Sequence, residues 1–189
     1  MVTSAMRTLT LVAGFAWLVV AGYGVRSATV DDDGDWGLTY LVFTLALLVG
    51  VALSVTVATL ATRQSDRPRL RMVGLVVGSL GGVASLVAAW ALPLWMTVLG
   101  VGFAMVAVAS GPRQRRPLTL LAAGQLVGIA VLFAGIAAEV GRRDYWGDYP
   151  VAGGVAVAVV AATTIIALLG LTRSMPGDTS LALEASGVD

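Results

Sequence analysis

The segment RQSDRPRLRMVGLVVGSLGGVASLVAAWALPLWMTVLGVGFAMVAVASGPRQRRP, residues 63–117, sets two basic clusters on either side of one long apolar run. The run, Met72 to Ser110, contains no ionisable side chain. As one helix, its about 39 residues would extend roughly 58 Å, nearly twice the hydrocarbon thickness of a bilayer. It must therefore fold back. Pro93, between Trp90 and Trp95, is the expected place, because proline interrupts a helix interior but suits the first turn of a new helix. The flanking arginines give the same answer independently. Basic clusters mark the cytoplasmic side of a membrane protein, and two of them on one side require an even number of crossings between them.

Outward from this segment the pattern repeats. Apolar runs cover 8–25, 38–61, 72–91, 94–110, 118–138 and 151–171. Each is close to the about 20 residues that a spanning helix needs. A composition of 58% hydrophobic and 12% charged residues, with a mean hydropathy of +0.89, suits lipid better than a water-exposed surface. The expected fold is an all-α membrane protein, a six-transmembrane-helix bundle over residues 1–173, followed by a flexible cytoplasmic tail over 174–189. Both termini are expected in the cytoplasm of a cell with this protein in its plasma membrane. That topology puts nine arginines inside (Arg7, Arg63, Arg67, Arg69, Arg71, Arg113, Arg115, Arg116, Arg173) and three outside (Arg26, Arg142, Arg143). The first run resembles a secretory signal only superficially. It is longer than an h-region, and Arg26 stands where a cleavage site needs a small residue.

Aromatic side chains with one wet end favour the headgroup level. Tyr23, Trp36, Tyr40, Trp90, Trp95, Tyr145, Trp146 and Tyr149 all fall at the outer boundary of this topology, and only Trp17 lies within a span. The outer loops share a flavour, with Asp31, Asp33, Asp35 and Trp36 in one and Arg142, Arg143 and Trp146 in the other, and they form a candidate outer-face surface. The aspartates do not make a calcium loop, since glycine is missing from the turn position and Val42 stands where the bidentate glutamate belongs.

Helices in lipid have no hydrophobic drive to associate and rely on close approach through small residues. Gly74, Gly78 and Gly82 form such a stripe on the third span, and Gly124, Gly128 and Gly135 on the fifth. Gly50, Ser54 and Ala58 form one on the second, and Gly154, Ala158 and Ala162 on the sixth. These stripes serve packing within the bundle, or a homo-oligomer or partner-subunit face. RPRLRMVGLVVG (67–78) and RPLTLLAAGQLVG (116–128) both lead from a basic loop into GxxxG, a weak echo of a two-helix repeat.

Chemistry is limited by what is missing. Without Cys, His or Lys, the chain has no thiol or imidazole metal ligand, no disulfide, no Ser/His or Cys nucleophile system and no Schiff-base lysine. No cofactor, no metal site, no enzymatic activity and no nucleic-acid partner are expected. No ionisable group lies inside a span, as proton- or ion-coupled transport would require, and Glu139 reaches only the outer edge. The candidate polar layer is Gln125, about seven residues or 10 Å in from the inner end of its span, with Thr163 and Thr164 at similar depth. A Gln–Thr bond between these spans would contribute roughly 0.6–2 kcal/mol. The expected role is that of an accessory or partner-binding bundle, with a small uncoupled transporter or substrate-binding component as the alternative. The expected partners are the bilayer itself, anionic lipid at the cytoplasmic arginines, and a second copy or another membrane subunit.

Overall fold

A computed structural model describes residues 2–29, 36–63, 65, 67–87, 92–139 and 150–174, and among them the chain is helical with no strand. The elements are α1 (Val2–Thr29), α2 (Trp36–Ala61), α3 (Pro68–Val87), α4 (Leu92–Ala109), α5 (Pro112–Glu139) and α6 (Pro150–Arg173). Among the described residues four stretches are long and apolar enough to cross a membrane: Ser4–Thr29, Leu38–Ala61, Pro112–Ala138 and Val151–Arg173. Pro93–Ala109 is a shorter apolar helix.

Proline sets several of the starts. Pro68, Pro112 and Pro150 occupy the first position of α3, α5 and α6, where the missing N–H has no helical acceptor to lose, and Pro93 lies in the first turn of α4. The long run of residues 72–110 is accordingly divided between two helices. The helices extend beyond the apolar runs, however. α1 begins at Val2 instead of residue 8 and α5 at Pro112 instead of residue 118. Arginine is a good helix former, so helix continues through charged turns where apolarity stops. Pro117 thereby falls inside α5, and its ring packs on Gly170 of α6, where an added Cβ would lie 3.1 Å from the Pro117 Cβ.

The six helices pack in chain order, each against the next, and α6 closes on α1; α2 also touches α6. Each pair of chain neighbours, and the closing α6–α1 pair, is antiparallel, as the paired levels show, which leaves α2 and α6 parallel. Trp17 meets Gly50 and Gly82 meets Val51; Gly74 meets Gly102 and Gly100 meets Gln125; Gly135 meets Ala152 and Gly24 meets Gly154. This alternation gathers Arg7, Arg63, Arg67, Arg69, Arg71, Arg113, Arg115, Arg116 and Arg173 at one end of the bundle.

The interior is a single main apolar cluster whose largest fully buried members include Trp17, Leu47, Trp95, Met96, Leu99 and Leu168. α3 contributes differently. Its most buried residues are Gly74, Gly78, Gly81 and Gly82, while Met72, Val76, Leu80 and Val83 are exposed. Large apolar side chains also face outward on every other helix, with Leu11 and Phe15 each 69% exposed. An apolar exterior this continuous is unlike the surface of soluble monomers, whose exposed apolar patches rarely exceed a few hundred Å². It suits contact with lipid.

Candidate functional site

The close approaches between helices are made by glycine. A Cβ at Gly102 would lie 2.5 Å from the Gly78 nitrogen and 2.8 Å from the Gly74 carbonyl oxygen, so α3 and α4 meet backbone to backbone. Gly82 lies instead against Val51 of α2. On α5, Gly124 receives the Thr163 side chain and Gly128 receives Val160. Gly24 and Gly154 bring α1 and α6 together, each occupying space that a Cβ on the other would need. Gly24, Gly81 and Gly102 lie outside the GxxxG stripes read from the sequence. The signal for them was weak, because none of the three has a glycine four residues away on its own helix, and the helix each one faces is not readable from its own spacing.

The middle of the α1–α2 seam holds a polar pair. The Trp17 indole N–H donates to Ser54 Oγ at 3.0 Å, and that hydroxyl donates to the Gly50 carbonyl at 2.7 Å. Gly50 leaves room for the indole, since a Cβ there would lie 3.2 Å from the ring. Trp17 is the one tryptophan or tyrosine that the sequence reading puts inside a span and not at its boundary, and a buried indole N–H normally finds an acceptor. Its acceptor was not legible, because α2 register relative to α1 was unknown.

Gln125 and Thr164 are each 1% exposed, so both belong to the core. The expected Gln–Thr bond is not formed with either threonine. Thr163 Oγ1 donates to its own helix, at the carbonyls of Val159 and Val160, the intrahelical bonding common for threonine in apolar surroundings. Gln125 packs on Gly100 of α4, and among the described residues its Oε1 has no partner, nor has Thr164 Oγ1. Thr10 Oγ1 and Trp95 Nε1 are unpaired in the same way. Trp95 is also a correction to the aromatic belt, for it is 1% exposed and packs in the core instead of at a lipid interface. Tyr23 and Phe43 do stack, with ring centroids 4.3 Å apart, joining α1 and α2 near the other end.

At the arginine-rich end, Arg71 turns back onto α2. Its Nε donates to Thr62 Oγ1 at 3.1 Å and its Nη2 to the Thr59 carbonyl at 3.3 Å. A guanidinium at the C-terminal end of a helix meets free carbonyls and the negative end of the helix dipole. Asp31, Asp33, Asp35, Arg142, Arg143 and Trp146 lie outside the described residues, as does the side chain of Trp36, the first residue of α2. Among the described residues no three His, Cys, Asp or Glu side chains gather in a way that could hold a metal ion. Comparison with protein-family models, with curated proteins and with solved structures returned no match.

Proposed function

We propose that this chain is a multi-pass plasma-membrane protein with six spans and both termini in the cytoplasm, acting as a non-enzymatic accessory bundle that binds a membrane partner. The observation that carries this reading is the inversion of the usual surface. Large apolar side chains face outward on every helix while small residues mediate the internal approaches. Among the described residues nine arginines lie at one end of the bundle and Arg26 alone at the other, a bias that supports the orientation. A centre filled by Trp17, Leu47, Trp95, Leu99 and their neighbours favours an accessory role over a conduit. Purification in a mild detergent tests it. Recovery with a second copy or a distinct membrane subunit is expected, and recovery only as an isolated monomer under every condition would contradict it.

One observation favours the second reading, a small uncoupled transporter or substrate-binding component: Gln125 Oε1 and Thr164 Oγ1 are buried without partners, a state that normally has a specific explanation. Because the chain has no native cysteine, Gln125→Cys gives a clean probe. Rapid reaction with a water-soluble maleimide would support a hydrated cavity, and lack of reaction would remove this reading.

A further inference from the structure

Two loops 44 residues apart in sequence are joined by one side chain at the arginine-rich end. Ser65 Oγ donates to the Ala109 carbonyl at the end of α4, and the same oxygen accepts the backbone N–H of Arg67 at 3.2 Å. The α2–α3 connection is thereby pinned to the last residue of α4, next to the α4–α5 connection. Arg67 and Arg69, at the start of α3, stand one helix across from Arg113, Arg115 and Arg116, at the start of α5, and all five are exposed. The helix between them is α4, which packs on both. At about 10 Å between neighbouring axes, α3 and α5 stand up to about 20 Å apart across α4, and arginine side chains reach inward from both sides over the end of α4. Arg71, by contrast, is committed to Thr62 and Thr59. The described residues at this end carry no carboxylate; the sequence adds Asp66 to the first loop and Asp178, Glu184 and Asp189 to the segment after α6.

Below the arginines, α4 turns a stripe of short side chains outward: Thr97, Val101, Ala104 and Val108, all exposed. Longer exposed side chains stand on the flanking helices, Met72 and Leu80 on α3 and Leu126 and Phe133 on α5, among shorter ones. A cationic rim above a shallow apolar track matches one kind of molecule, an amphiphile with an anionic head. A nucleic acid or an acidic protein segment would need the charge but not the track. Arginine suits phosphate in particular, because its planar fork donates two bonds at once.

We propose that Arg67, Arg69, Arg113, Arg115 and Arg116 form a specific site for an anionic phospholipid, with the phosphate among the guanidinium groups and an acyl chain along Val108, Ala104 and Val101. The proposal rests on the membrane reading given above. Failure of that reading would show separately, as a chain that stays folded and monomeric without detergent.

The test is titration of the purified full-length chain in detergent with phosphatidylglycerol, phosphatidylcholine, glycerol phosphate or a short oligonucleotide, read by native mass spectrometry and by the heat-unfolding midpoint. Phosphatidylglycerol should bind one to one and raise the midpoint, and the other three should not. Each juxtamembrane arginine contributes about 1 kcal/mol towards an anionic lipid surface, roughly fivefold in affinity. R113Q/R115Q/R116Q should therefore weaken phosphatidylglycerol binding on the order of a hundredfold. Ser65→Ala keeps every charge but frees the loops from each other, and Ala104→Trp keeps every charge but blocks the track; both should weaken binding severalfold. Arg173→Gln, at the same end on α6, should not. Equal binding of glycerol phosphate or the oligonucleotide would overturn the proposal. So would wild-type affinity in both Ser65→Ala and Ala104→Trp, or a loss of roughly fivefold or more in Arg173→Gln, because these would mean diffuse charge attraction.

Discussion

Glycine positions in this bundle divide by what stands opposite them, and substitution by alanine separates the two kinds. At Gly102 the added methyl meets the backbone of Gly78, which cannot move aside like a flexible side chain. Gly102→Ala should cost about 1–3 kcal/mol. At Gly22 nothing lies within 4 Å, so Gly22→Ala should cost nothing, and heat unfolding of the two variants in detergent checks the contrast. The polar residues divide in a similar way. Ser54→Ala leaves the Trp17 N–H buried without its acceptor and should cost about 1–2 kcal/mol. Gln125→Leu removes an oxygen that has no partner and should range from neutral to stabilising, since an apolar replacement of similar shape loses no bond. A loss as large as that of Ser54→Ala, measured in the same unfolding assay, would mean that Gln125 is paired in the membrane.

At the scale of the helix, Arg71 ties α3 to the end of α2 through Thr62 and Thr59. Arg71→Gln should accelerate hydrogen exchange in the last turn of α2, around Ala58 to Thr62, and Arg71→Lys should not restore it, because an ammonium lacks the fork that reaches both acceptors. Unchanged exchange in Arg71→Gln would show that the turn is held by other means. Helix existence was legible from the sequence: six apolar runs separated by proline and arginine correspond to six helices, and the division of residues 72–110 followed from length alone. Helix ends were not, because the runs stop at the first charge while the backbone at Arg7 or Arg113 remains helical. Partner choice was legible only in part. Spacing placed Gly74 and Gly78 on one face, but it could not show that this face meets Gly102, or that Gly82 turns to α2. Those facts depend on relative register and rotation, which a single helix does not encode. The same gap explains the candidate polar layer, where Gln125 faces α4 instead of the threonines of α6. Gly74 and Gly78 of α3 lie against Gly102 of α4, and Gly124 and Gly128 of α5 against Thr163 and Val160 of α6.

For the molecule as a whole, alternation of direction does more than any single contact. Six antiparallel helices in chain order place nine arginines at one end, and with no native cysteine the chain is open to single-cysteine mapping. The relevant sites are exposed: Arg63 after α2, Arg113 at the start of α5, and Thr29 at the end of α1. The decisive experiment labels Arg63→Cys, Arg113→Cys and Thr29→Cys, one per chain, with a membrane-impermeant maleimide on intact cells and then on permeabilised ones. Thr29→Cys should react in intact cells, while Arg63→Cys and Arg113→Cys should react only after permeabilisation. Labelling of Arg63→Cys and Arg113→Cys from opposite sides, or of all three in intact cells, would contradict a bundle threaded through the membrane with its arginines in the cytoplasm.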